Sequence, residues 1–241
     1  MLALLRAELR RIVGRRGTFY GSIAFTLLIV AITVAAASPG DGNDALGYVA
    51  DAGRYSGLLG VVVMGALAGS YDTANGTMRY LVLTGVPRWQ LVAVRLLGIL
   101  VAVLPMAILV LVIGIVWGSA TDGGITGNAL PDNVWAVLAT LWTWALVSTS
   151  VGMLMRSNGP AIAVSVVLFF GGTLITGLVA NFISETLANY LLPSVFEQVA
   201  SLESGGSDDF KLALAGAFVV LAVWLVALCG AALVRVQRDE Y

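Results

Sequence analysis

Residues 70–95, SYDTANGTMRYLVLTGVPRWQLVAVR, decide how this chain is read, because here polar and charged residues interrupt sequence that is otherwise apolar. Asp72 can cap a helix by accepting backbone N–H bonds, Gly85 suits a left-handed stop, and Pro87 cannot continue a helix. Residues 73–84 are therefore expected to form a short helix between two apolar runs. A capped helix held between membrane spans is a natural handle for another protein.

The sequence on either side explains why the flanking runs are spans. The 241-residue chain is 59% hydrophobic and 11% charged, with a mean hydropathy of +0.94, well outside the range of soluble domains. An all-α integral membrane protein is expected. A net charge of −1 gives no basic surface for nucleic acid. The absence of histidine excludes His-based triads and His-ligated metal sites, and the single Cys229 cannot form an internal disulfide. No Gly-x-x-x-x-Gly-Lys-[Ser/Thr] occurs, so the chain has no P-loop of its own.

About 20 apolar residues cross the hydrocarbon core. On that ruler the spans are 17–37, 55–71, 91–117, 133–155, 160–181 and 212–234, in one transmembrane domain over 1–241. Residues 1–16 place Leu2, Leu5, Leu9, Ile12 and Val13 on one helical face and five arginines on the other, the pattern of a basic in-plane helix. A cleaved secretory signal is the competing reading, but the apolar run after it exceeds the ~7–15 residues of a signal core. Residues 38–53 and 118–132 read as Gly/Asp-rich loops. Residues 182–210 read as one or two short outer helices broken at Pro193, ending in the polar run 204–209. The short second span, bounded by Arg54 and Asp72, suggests little tilt, and Pro105 is expected to kink the third. With both termini inside, every basic residue of the 13 except Arg54 and Lys211 falls on the cytoplasmic side, which predicts a multi-pass protein of the cell (inner or plasma) membrane with cytoplasmic termini.

Asp72, Gly76-Thr77, the apolar Leu81-Val82-Leu83, Pro87-Arg88, Leu91 and Arg95 resemble the first cytoplasmic loop of type-2 ABC exporter permeases, six-span subunits that dock on a separate ATPase. Many members have Glu at the position of Asp72, Pro-x-x-Arg in place of adjacent Pro87 and Arg88, and Lys at Arg95. The resemblance implies that residues 72–90 form a cytoplasmic coupling loop, with the 73–84 helix as its coupling helix, contacting ABC ATPase subunits through Asp72, Gly76, Thr77, Met78, Arg79, Tyr80, Leu81 and Arg88. ATP and Mg would be bound by that partner, with no cofactor, metal or catalytic residue in this chain. It also implies a second permease subunit, identical or similar, and a route lined by the second and fifth spans.

Small residues Ser56, Gly57 and Gly60, with Met64, leave room for such a route on the second span. Ser165, Phe169, Gly172, Thr173 and Thr176 form a weakly polar stripe on the fifth. Thr140, Thr143, Val147 and Ser150 form another on the fourth, and all of these serve equally as interhelical glue. No ionisable residue lies deep within a span, with Arg95 the nearest, placed to snorkel. The expected function is outward transport of a hydrophobic or amphipathic substrate such as a drug, lipid or peptide. A non-transporting scaffold or immunity protein, and a gradient-driven carrier, are the alternatives.

Overall fold

The computed structural model describes residues 2–83, 85–202 and 212–238 and is entirely helical over them. Expectations for Thr84, Glu203, residues 204–209, Lys211 and the side chains of Arg79 and Thr173 lie outside what is described. Ten helices follow in order: α1 (Leu2–Gly14), α2 (Arg16–Ala36), α3 (Gly42–Ala74), α4 (Met78–Leu83), α5 (Arg88–Ala120), α6 (Ala129–Leu154), α7 (Asn158–Phe182), α8 (Glu185–Ala188), α9 (Leu192–Ser201) and α10 (Leu214–Arg238). Five are long and apolar enough to cross a membrane; α7, bent by 50° between its Asn158–Gly172 and Leu174–Phe182 halves, makes six.

The second span differs most from expectation. Residues 38–53 are not a loop beyond its first few positions: Asp41 accepts the Asp44 backbone N–H at 2.9 Å and starts α3 at Gly42. Ala45, Leu46, Val49 and Ala50 then continue a buried face that the Gly and Asp residues between them disguise. The 33 residues of α3 reach about 50 Å, longer than the hydrocarbon core, so the helix that holds the expected 55–71 span starts well before residue 55 and is far longer than that span. Likewise, α5 begins at Arg88 and ends at Ala120, running on as one helix through Pro105. Pro193 starts α9 instead of breaking it, because a missing N–H costs nothing in a first turn.

The core is built on α3 and α6, which pack more intimately than any other pair. At Gly69 an added methyl would run into the Thr149 carbonyl, and at Gly152 into the Ala66 carbonyl, so these backbones touch without side chains between them. The polar stripe of the fourth span faces this seam and its neighbours: Thr140, Thr143, Ser148, Thr149 and Ser150 are all buried, and Ser150 Oγ lies 3.4 Å from Cys229 Sγ. Val147, the remaining member of the expected stripe, is buried as well, so all four of its residues lie in interhelical packing. Successive long helices alternate in direction. One end of the bundle, here the loop end, therefore gathers α1, α4, the start of α5 and the ends of α3, α6 and α10. The far end gathers α8, α9 and the starts of α6 and α10, where Trp135 donates its indole N–H to the Val199 carbonyl at 2.8 Å.

Candidate functional site

Three helices place four charges together beneath the 72–88 loop. Glu8 and Arg11 sit one turn apart on α1, Asp72 occupies the last turn of α3, and Arg95 lies two turns into α5. Arg11 and Arg95 both donate to Asp72 Oδ2. Arg11 also donates to Glu8 Oε1 at 2.5 Å, and Arg95 Nε lies 3.9 Å from the same oxygen. Arg95 donates further to the Gly69 carbonyl at 3.2 Å, and the Thr77 hydroxyl donates to Asp72 Oδ1 at 3.0 Å. Asp72 is 3% exposed and Arg95 4%. Two carboxylates against two guanidiniums leave the cluster neutral, which is what makes burial of four charges tolerable. Burial works against the Arg11 charge, but Glu8 and Asp72 outweigh it and hold its pKa above the ordinary arginine value. Arg15, beside them, lies with its guanidinium carbon 3.8 Å from the centre of the Tyr71 ring; burial first, then Arg11, lowers its pKa.

The loop above this cluster takes a different form from the expected 73–84 helix. The chain leaves α3 at Ala74, turns through Gly76 at φ +67°, which glycine adopts without strain, and enters α4 at Met78. Asp72 is thus not the cap of the loop helix; its carboxylate is spent on arginines. Met78, expected on a contact surface, is 1% exposed and packs with Val92, Met153, Ala232 and Val236. Arg88, expected to meet an acidic partner, donates to the carbonyls of Val236 and Gln237 at 3.2 and 2.7 Å, at the orphan carbonyl end of α10. Arg88→Ala should therefore lower stability by about 1–2 kcal/mol through fraying of α10, read as faster amide exchange in its last turn. What the loop presents outward is Gly76, Thr77, Tyr80 and Leu83, with Trp89 beside them; Leu81 is half-buried. Tyr80 is 71% exposed and Leu83 74%.

The residues expected to line a route do not share one surface. Ser56 donates to the Ala52 carbonyl, Gly57 packs on Met106 and Leu141, and Met64 is buried. Gly60 borders a shallow groove against Ser22 and Phe25 of α2. Ser165 is buried, with no hydrogen-bond partner for its Oγ among the described residues. Gly172 faces Pro193 of α9. Only Phe169 and Thr176 meet around a cavity, of about 470 Å³ at the far end, together with Tyr55, Trp144, Phe196 and Glu197.

Sequence reasoning missed Glu8 and Arg11 as partners of Asp72, and missed Trp144 and Glu197. A signal existed for one carboxylate: Glu8 is the lone acid in a basic helix, whereas Glu197 lies with Ser194 and Ser201 on the polar face of α9 and carried none. Trp144 carried none.

Fold and site together define a multi-span membrane protein with a buried ion cluster at one end and an aromatic cavity at the other. The chain belongs to the family described as Protein of unknown function (DUF2705), whose model matches residues 54–241. That stretch includes Asp72, Arg95 and the cavity, and leaves out Glu8 and Arg11. No curated protein matches the chain.

Proposed function

We propose that this chain is the membrane-spanning permease subunit of an ATP-driven exporter, moving a hydrophobic or amphipathic substrate outward with a separate ATPase bound at the loop end. The observation that carries this reading is the construction of α4. It is fastened to the bundle from beneath by Met78 and presents Tyr80 and Leu83 outward above a buried ion cluster. Two large apolar side chains exposed on a polar loop fit a docking surface better than a solvated turn. Because α4 follows α3 directly and the cluster ties α3 to α1 and α5, a push on α4 would reach three helices at once. The basic residues concentrate at this end, which supports a cytoplasmic loop. ATP and Mg belong to the partner, and two permease subunits would complete the unit.

A gradient-driven carrier would need a titratable or ion-coordinating group in the path. Asp72 and Arg95 are buried charges that the sequence reading did not place in the interior, yet each is neutralised by the other at the end of the bundle. They support coupling better than ion binding.

The test is purification of the tagged chain from its native membrane in mild detergent, with and without the double substitution Tyr80→Glu and Leu83→Glu. A P-loop ATPase should accompany the unmodified chain and fall by about tenfold or more with the variant, whose own stability should be unchanged, both side chains being exposed. Recovery of the chain without any ATPase would sink the exporter reading. Retention of the ATPase by the variant would sink α4 as the contact.

A further inference from the structure

The far-end cavity has the features of a ligand site that neither the fold nor the packing requires. Its volume of about 470 Å³ lies in the range of sites for small organic molecules. Its wall is an aromatic corner: Trp144 meets Phe169 edge-on with centroids 5.1 Å apart and Phe196 at 5.9 Å, and Phe169 meets Phe170 at 4.7 Å. Trp144 is 2% exposed, and its indole N–H has no hydrogen-bond partner among the described residues.

The rim supplies charge. Glu197 accepts a hydrogen bond from the Tyr55 hydroxyl at 2.9 Å, with Arg54 3.7 Å away. Arg54 is also engaged by Asp51, at 2.9 Å. Two carboxylates share one guanidinium, so the described rim carries a net negative charge beside an aromatic wall. That combination attracts a cation, through the carboxylate and through the negative faces of the rings. We infer that the cavity binds an amphipathic organic cation, its cationic group at Glu197 and its apolar part against the rings of Trp144, Phe169 and Phe196. An anion would meet Glu197 unfavourably, and a plain hydrocarbon would make no use of that carboxylate.

The test compares benzoylcholine, which has a ring, an ester and a quaternary ammonium, with 3,3-dimethylbutyl benzoate, its neutral counterpart of the same shape. Calorimetric titration into the full chain in zwitterionic phosphatidylcholine nanodiscs, with empty discs subtracted, measures both. Benzoylcholine should bind at least about tenfold tighter than the neutral ester. Glu197→Gln, which keeps an acceptor for Tyr55, should remove most of that preference. Trp144→Phe should weaken both ligands while leaving their ratio unchanged. Equal binding of the two esters, no binding of either, or an unaltered preference in Glu197→Gln each overturns the inference. So does a co-purified phospholipid that benzoylcholine fails to displace. Because the titration uses no ATPase, its outcome is separate from that of the exporter reading.

Discussion

Asp72→Ala is expected to destabilise the solubilised chain by about 3–5 kcal/mol, the largest effect of any single side-chain truncation at the loop end. The carboxylate accepts from both Arg11 and Arg95, and Arg95 is 4% exposed. Truncation removes the carboxylate between two guanidiniums and leaves Glu8 beside them, and Arg95 is buried between α3 and α5. Asp72→Asn should cost less, since it still accepts from Thr77, but it cannot neutralise either arginine. The diagnostic variant is Asp72→Leu combined with Arg95→Met. Replacing both buried charges with apolar groups removes the desolvation cost along with the attraction, and stability should return to within about 1–2 kcal/mol of the unmodified chain. Arg11 then keeps Glu8, to which it is bonded at 2.5 Å. Thermal denaturation followed by size-exclusion elution measures all four proteins. An Asp72→Ala protein as stable as the parent would show that the cluster is not closed in the membrane-embedded chain. If instead stability is recovered in the double variant but ATPase co-purification is not, the charges serve coupling more than folding.

How far the sequence carried the reading depended on the physical range of each signal. Hydropathy is local and cumulative, so every long helix except the second begins and ends within a few residues of its expected span. The second failed because Gly42, Asp44, Gly47, Asp51 and Gly53 made its first turns resemble a loop, while Leu46, Val49 and Gly53 are chosen for contact with Val110 and Gly114 of α5. No local rule sees a partner 60 residues away. The same distance hid the ion cluster. Asp72 and Arg95 were both singled out, one as a cap and one as a snorkelling arginine, because each was weighed against solvent and not against the other. Met78 and Arg88 were assigned outward for a related reason: the closure of α10 over the loop, which buries the first and supplies carbonyls to the second, is a tertiary event. Gly65 and Gly69, four residues apart on one face of α3, by contrast meet α6 at close range, a contact that small residues on one helix face permit.

That contact sets the second large effect. Gly69→Leu is expected to cost about 3 kcal/mol or more, because its Cβ would meet the Thr149 carbonyl and lie 2.7 Å from the Met153 nitrogen, atoms of a backbone that has no rotamer to change. A seam built of side chains could repack; this one must widen. Gly21→Leu on α2, where an added Cβ meets nothing within 4 Å, should stay within about 0.5 kcal/mol and controls for the cost of a larger residue in a membrane helix. Widening has a further consequence, since the Gly69 carbonyl is an acceptor for Arg95 and Asp72 lies one turn beyond. The disturbed seam should loosen the ion cluster, so a chain that survives Gly69→Leu should show faster amide exchange in α1 and α4 as well as in α3. Exchange confined to α3 and α6 would mean that the cluster holds independently of the seam. Exchange that spreads to the loop would mean that α3, α6 and α4 move as one body, which is what the proposed transmission of a push on α4 requires.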